Sequence, residues 1–280
     1  MKDEKINKGK FNIGKVEKIC NIGKKTLRYY DQIGLLSPSE IKDNGYRYYD
    51  KENLYTIPVI KYYKQSGFTL EKIKSLLSSS NHKTIEEGFE EKILELKRAE
   101  EELKLKRTSI EDWYSLVREA RMIKEFNLSE IKVKYLEKAE VIFLDQEFDY
   151  DYLESIINVE FTNYIEKIDN AITGPVMIEF PSFEERLNNE AKKVRILQKG
   201  LKIAEKAQLV EIGGCLVVSA YHIGSHKTIN NTYEKIKKWI ELYNYKTDGA
   251  CYERYILDYW TTKEESNFVT EIMIKLKTDE

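Results

Sequence analysis

Four side chains within a turn and a half, Lys24, Lys25, Arg28 and Tyr29, carry the first chemistry in the chain. Ammonium, guanidinium and phenol groups at that spacing share a helix face. They can donate to phosphate oxygens and, from the helix start, to base edges. They stand in Thr26-Leu27-Arg28-Tyr29-Tyr30-Asp31, which Ile33-Gly34-Leu35-Leu36 and then Asn44-Gly45-Tyr46-Arg47-Tyr48-Tyr49 follow. A basic helix start, a glycine stop and an aromatic-basic turn in that order describe a winged DNA reader. Its N-terminal end would face bases, with Arg28 and Tyr29 as positioners on phosphate. Tyr46 and Arg47 would reach phosphates and the adjacent minor groove, and a third helix would add Lys61 and Lys64. The bland alternative is a solvated basic surface. Leu27, Tyr30 and Tyr49 are assigned to a small core, with at least one of Tyr62 and Tyr63.

The second candidate is Glu253, in Tyr252-Glu253-Arg254-Tyr255. Strand alternation places Glu253 and Tyr255 on one face and Tyr252 and Arg254 on the other. A carboxylate facing inward among aromatics is expensive to bury unpaired. Either a cationic ligand joins it, with Phe161, Tyr221 and Phe268 as walls, or a neighbouring Arg or Lys pairs with it and it only holds the fold. Glu179 is a weaker match in the first half of the same region.

The elements that must position these residues follow from pattern. Ile13, Val16 and Ile19 recur at helical spacing up to Cys20, and a second helix runs from Lys24 to about Ile33 between Gly23 and Gly34. Together they form a helix-turn-helix. A wing strand follows Asn44-Gly45. A third helix, Lys51–Gln65, opens on Asp50 with Asn53 at its third position, and a fourth follows Thr69. Between residues 83 and 121, Phe89, Leu96, Leu103, Ile110 and Val117 repeat every seven residues, with Ile85, Ala99 and Trp113 on the adjoining row. That is a coiled-coil seam. Lys92 and Lys106 interrupt the row, which fits an antiparallel helix pair; a solvated helix packed on its own domain is the alternative.

The remaining residues read as a β-α-β-β unit twice over. The first copy comprises 133–147, a helix over 152–168, and strands 176–180 and 193–197. The second comprises 210–221, a helix over 227–242, and strands 250–258 and 269–276. A cleft between the halves is the default ligand place. The fold class is therefore multidomain, α and α+β: a winged helix-turn-helix (1–80), a dimerisation helix (81–125) and a pseudo-symmetric duplicated effector domain (126–280).

Charge sorts along the same borders. The 280 residues carry 46 Lys and Arg against 48 Asp and Glu, yet residues 1–80 hold 16 basic and 9 acidic side chains, and residues 126–280 hold 20 and 27. Basic charge thus sits with the reader. Only three cysteines (Cys20, Cys215, Cys251) and no signal-peptide pattern point to a reduced, cytoplasmic protein, and no apolar run approaches a membrane helix.

Residues 11–77, through the motifs above with Phe11-Asn12-Ile13-Gly14 and Gly67-Phe68-Thr69-Leu70, closely resemble the DNA-binding domain of MerR-family transcription regulators. The C-terminal half is similar to the GyrI-like effector domain of the BmrR-like, multidrug-responsive branch. Tyr221, Gly224-Ser225, Tyr233, Lys237-Lys238-Trp239-Ile240, Tyr252-Glu253-Arg254-Tyr255, Asp258 and Thr270-Glu271-Ile272 carry that likeness. The resemblance implies a homodimer on a palindromic element of double-stranded promoter DNA, with an overlong spacer. It also implies a small lipophilic, cationic effector meeting Glu253, and a DNA distortion that lets RNA polymerase use both promoter elements. It implies neither a cofactor nor a membrane. Gly23 stands where the family often has Ser or Thr, so a looser helix start is expected. The cysteines that metal-sensing members keep after the long helix are missing here.

Two other readings compete. A GyrI-like hydrolase would use Glu253 as general base, with Tyr221 or Tyr255 orienting the substrate, but no nucleophile-base pair stands out. A redox or metal switch would draw on Cys20, Cys215, Cys251, His222 and His226, but Gly224-Ser225 breaks the helix that would align the histidines.

Overall fold

A computed structural model describes residues 9–79 and 81–277; the first eight residues and Ser80 of the expected reader, and the last three of the effector domain, lie outside them. Contacts divide the chain into two compact units, 1–101 and 102–280.

The reader begins with β1 (Phe11–Asn12), α1 (Ile13–Cys20) and α2 (Lys24–Gln32). Asn12 caps α1, its side chain accepting the Lys15 N–H at 2.9 Å. Gly23 offers α2 no side-chain acceptor, but the Glu17 carboxylate, from α1, accepts the Lys24 N–H at 3.2 Å. A residue seven positions upstream thus supplies the acceptor that Gly23 lacks. Gly34, at φ +66°, turns the chain out of α2. Strands β2 (Glu40–Ile41) and β3 (Arg47–Tyr49) form the wing hairpin, and β1 completes the sheet in the order β1-β3-β2.

Next come α3 (Lys51–Gln65) and α4 (Leu70–Ser78). Asp50 and Asn53 make the full capping box, whereas Thr69 supplies α4 with a cap alone. Val16, Leu27, Tyr49, Ile57, Ile60 and Ile73 are fully buried between these elements. Each of the aliphatic side chains among them stabilises the fold by about 1.5–3 kcal/mol.

Helix α5 (His82–Glu125) is one uninterrupted helix of 44 residues that belongs to both units. In the reader, its Phe89 ring packs edge-on against Phe68 and tilted against Tyr63. In the effector unit, Leu116, Ala120 and Ile123 are buried against Ile256 and Val269.

The effector unit departs from its predicted elements in an instructive way. The single stretch expected over 133–147 is two strands, β4 (Lys132–Leu136) and β5 (Ala139–Glu147). The expected first helix breaks at Ile157-Asn158 into α6 (Tyr152–Ile156) and α7 (Val159–Lys167), because Asn158 caps a new start, accepting the Phe161 N–H at 2.6 Å. Strands β6 (Ile172–Phe180) and β7 (Lys193–Gly200) flank an unpredicted short helix, α8 (Phe183–Leu187). The stretch expected over 210–221 also splits, into β8 (Leu209–Ile212) and β9 (Cys215–Ile223). Gly213 and Gly214 turn there with φ +80° and +70°, and a Cβ on Gly213 would lie 2.0 Å from the Glu137 carbonyl oxygen. Helix α9 (Asn230–Leu242) and strands β10 (Thr247–Leu257) and β11 (Val269–Leu276) complete the second copy.

All the strand pairs of this eight-stranded sheet are antiparallel, in the order β4-β9-β11-β10-β6-β7-β5-β8. The order reads as a pseudo-two-fold about the β10–β6 pair, with each half lending its first short strand to the other. The duplication is therefore real, and swapped at the edges.

Candidate functional site

The reader presents Lys24, Lys25, Arg28 and Tyr29 on the exposed face of α2, while Leu27 and Tyr30 are buried behind them. Tyr46 at the wing tip is 60% exposed, and Lys64 is exposed on α3. Three of the predicted cations have protein partners, and one of them is Lys24, whose Nζ lies 3.4 Å from Glu17 Oε2 across the gap between α1 and α2. Arg47 donates from Nε to Asp31 Oδ2 at 2.8 Å, tying the wing to α2. Lys61 donates to the carbonyls of Cys20 and Asn21, where α1 leaves those acceptors unsatisfied. Tyr63 is the packed member of its pair; Tyr62 is exposed.

In the effector unit, Glu253 is completely buried and fully engaged. Its Oε1 accepts Arg186 Nε at 2.6 Å and the Tyr233 hydroxyl at 2.9 Å, and its Oε2 accepts the Tyr255 hydroxyl at 2.7 Å. Arg186, equally buried, donates from Nη1 to Asn230 Oδ1 at 2.9 Å and Asn189 Oδ1 at 3.4 Å, and from Nη2 to the Tyr152 hydroxyl. Aromatic rings surround its guanidinium, with Tyr233 at 4.5 Å, Phe180 at 5.2 Å, Tyr150 at 5.7 Å and Tyr152 at 5.8 Å from centroid to carbon. Burial works against its charge, but Glu253, joined by the Tyr233 and Tyr152 phenols, outweighs it and raises its pKa. Burial, and then the Glu253 charge, push the Tyr152 and Tyr255 phenols well above their ordinary range, so they stay neutral donors.

Of the two readings left open for Glu253, the structure shows the second: a neighbouring arginine pairs with it. Arg186 went unpredicted because α8 did. A signal was present in Ser182-Phe183-Glu184-Glu185, where Ser182 caps the helix and accepts the Glu185 N–H at 3.1 Å.

Beside this cage opens a cavity of about 870 Å³, lined by Tyr150, Tyr152, Arg186, His226, Asn230 and Tyr259 among others. His226 is sandwiched between Tyr152, at 4.9 Å, and Phe268, at 5.1 Å. Burial lowers its pKa to about 4, so the imidazole is neutral near pH 7. Its Nε2 meets Thr270 Oγ1 at 3.2 Å, whereas its Nδ1 is buried without a hydrogen-bond partner.

The structure brings only some of the predicted walls together. Tyr255 bonds Glu253 directly, and Phe268 backs the His226 ring. Phe161 belongs to the core under α7 and does not line the cavity. Tyr221 lies on the opposite sheet face. Register pairs Glu253 with Ile272 and Ile272 with Ala220, but Arg254 with Glu271 and Glu271 with Tyr221. Glu179, opposite Tyr252, shares that other face, where it accepts from Tyr252 at 3.1 Å and Arg195 at 3.4 Å.

That second face has its own buried charges. Glu271 accepts Arg254 Nε at 2.8 Å and Ser219 Oγ at 2.6 Å, and is joined by Lys134. Burial opposes its charge, but Arg254 and Lys134 prevail and lower its pKa. Arg254 also donates to both carboxylate oxygens of Glu119 on α5, and Tyr221 leans on the same group at 3.5 Å. Successive residues of β10 therefore serve opposite faces, Glu253 the cage and Arg254 the long helix.

The cysteines and histidines of the switch reading are dispersed or otherwise bonded. Cys251 is buried beside Tyr233, and His222 bonds Thr232 and Ser225. Among the described residues no group of three or more potential ligands could hold a metal, and no helix is long and apolar enough to cross a membrane.

The Bacillus subtilis multidrug-efflux transporter 2 regulator is 26% identical over 278 residues, covering 95% of this chain and 96% of that protein. The transcriptional regulator CueR of Escherichia coli O157:H7 is 32% identical over 104 residues, 35% of this chain and 77% of its own. Among solved structures, the EcmrR–DNA complex aligns over 96% of this chain and all of that one, at 22% identity and a TM-score of 0.45. Residues 11–80 match the MerR HTH family of regulatory proteins and residues 129–277 the GyrI-like small molecule binding domain. The chain belongs to the MerR family of DNA-binding, ligand-responsive transcription regulators, with a GyrI-like domain as its effector-binding half.

Proposed function

We propose that the protein is a transcription activator that binds a palindromic promoter element as a homodimer and distorts it when a small lipophilic molecule enters the cavity beside Arg186. Lys24, Lys25, Arg28 and Tyr29 read and clasp the major groove, with Tyr46 and Lys64 on flanking phosphates. Arg47 holds Asp31 through Nε and keeps its terminal N–H groups for phosphate; Lys61 acts mainly by fixing the end of α1.

The observation that carries this reading is α5, which packs on reader residues at its start and on effector-sheet residues at its end. Its seam residues Leu96, Leu103, Ile110 and Val117 stand exposed on the single chain, which supports an antiparallel second copy as their cover. Ligand entry reorders the cage, β10 shifts, and Arg254 passes the change to Glu119. RNA polymerase is then served by the bent and untwisted promoter, at a deformation cost that effector binding offsets. The protein works in the cytoplasm and is not an enzyme. A Glu253 held by Arg186 and two phenols is poorly placed to act as general base.

Footprinting on DNA upstream of its own gene, with in vitro transcription beside it, tests the reading. The expected result is symmetric protection of inverted half-sites and transcript levels that rise with ligand. Protection of a lone half-site, or ligand binding without any change in transcription, sinks it.

A further inference from the structure

The start of α2 is closed by a residue of α1. Gly23 has no side chain to accept an N–H, and Glu17 serves in its place: Oε1 accepts the Lys24 N–H at 3.2 Å, while Oε2 lies 3.4 Å from Lys24 Nζ. The lysine stem folds back to meet it. A Cβ on Gly14 would lie 3.6 Å from Lys24 Cε, so the stem crosses α1 at a residue without a side chain. We infer that Glu17 is a positioning residue that sets the specificity of the reader, by fixing the start of α2 and by keeping Lys24 in a neutral pair that adds little attraction for phosphate. The inference rests on the reading that α2 enters the major groove.

Two physical effects lead there. Attraction between cations and phosphates is the same for every sequence, so each unpaired cation raises affinity for all DNA alike. Lys25 and Arg28, on the same helix, have no side-chain hydrogen-bond or ion-pair partner among the described residues and supply that attraction. Lys24 differs, because its one charged nitrogen faces a carboxylate. Arg47 is the intermediate case, giving Asp31 its Nε alone. The side chains of Lys24 and Glu17 are 50% and 38% exposed, so their pairing stabilises the fold little and acts instead on what the ammonium can bind. Base edges, by contrast, are read by donors and acceptors held in place. A helix whose first N–H is already satisfied enters the groove ordered, and binding does not have to supply that order.

The test is a set of salt titrations of the full-length protein on two duplexes of equal length, one selected by the wild type from a random pool and one of random sequence. Glu17→Gln keeps an acceptor for the Lys24 N–H and removes the charge. On the random duplex it should steepen the salt slope by about one and raise affinity about fivefold at about 0.15 M salt, lowering the ratio of selected to random affinity by the same factor. Lys24→Ala alone should leave the random-duplex slope unchanged, and added to Glu17→Gln it should erase the gain. An unchanged slope in Glu17→Gln, or a gain that survives the loss of Lys24, overturns the neutral pair; a ratio that does not fall overturns the role in specificity.

Glu17→Ala removes acceptor and charge together. Amide hydrogen exchange at the start of α2, followed in the free protein by mass spectrometry, should quicken in Glu17→Ala and hold in Glu17→Gln. Gly23→Ser added to Glu17→Ala should slow it again while the salt slope stays steep. Unchanged exchange in Glu17→Ala, or no recovery on adding Gly23→Ser, overturns the capping role. A pool from which the wild type enriches no sequence overturns the reading of α2 as a base reader, whereas the random-duplex slopes and the exchange rates decide what Glu17 does.

Discussion

Arg28 of the reader and Arg186 of the effector domain are the same residue type put to opposite uses. Arg28 stands on the exposed face of α2, with its neighbours Leu27 and Tyr30 buried behind it. Arg186 is itself the buried group, locked to Glu253 and ringed by aromatics. Outward charge on a small helical scaffold is available to an external polyanion. Inward charge must be answered by the chain, because a buried ion without a partner is among the costliest features a fold can contain. The reader therefore keeps its binding chemistry on display, and the effector domain spends a carboxylate and a guanidinium on each other.

Removing Arg186 should break this contrast most severely. Arg186→Ala leaves Glu253 buried and unpaired, and the effector domain should lose about 3–5 kcal/mol. Denaturant unfolding followed by tryptophan fluorescence measures the loss, and all three tryptophans report on this unit. A double Arg186→Met, Glu253→Gln variant should recover most of it, since an uncharged pair of similar volume replaces the ions without leaving either charge stranded. Equal losses in both proteins would mean that packing, not charge, sets the cost.

His226 gives the next largest effect, and its sign is fixed by burial. The folded imidazole titrates at about 4, against an ordinary 6.5. Above pH 6.5 both states are neutral at this group and it contributes no slope. As pH falls from 6.5 toward 4, the unfolded chain gains a proton that the folded chain refuses, so stability declines by about 3 kcal/mol in total. Asp258 pulls the other way, because burial raises its pKa to about 6 and the folded state binds the extra proton below that value. Comparing His226→Phe with the wild type cancels the Asp258 contribution. The variant should lack the acid-side decline, and parallel pH profiles would show that His226 is not its source.

Glu119→Gln should weaken the tie between α5 and Arg254 while leaving the cage intact. Ligand affinity should hold, while the ligand's effect on DNA binding should fall by about 0.5–2 kcal/mol. An undiminished response would require another route between β10 and α5. In the reader, Arg28→Ala should weaken binding to all sequences and lower the salt slope by about one. An unchanged slope in a salt titration removes Arg28 from the phosphate contacts. Gly23→Ser should do least, stabilising α2 by a few tenths of a kcal/mol through a second acceptor at its start. A Cβ there has room, the nearest side-chain atom being Thr26 Oγ1 at 3.9 Å.

How much could be read without the structure differs between the two units for the same reason. In the reader, caps, stops and turns are set by residues within a few positions of each other, as Asp50 with Asn53 shows. Even there, Lys61 and Arg47 are engaged by partners 40 and 16 positions away, which no local pattern announces. In the effector domain, strand alternation correctly put Glu253 with Tyr255 and Arg254 on the other face. It could not say that Tyr221 would share the face of Arg254, because that depends on the register of β9 through β11.

The sequence by itself determined the order of domains, the exposed basic face of α2, the long helix and the doubled effector fold, because periodicity, capping and charge segregation act over short stretches of chain. Only the tertiary structure decided what Glu253 meets. Its partner lies 67 residues away on a five-residue helix. The pairing arises because β10, β6 and α8 close around a space that, once sealed from water, cannot hold one charge without the other.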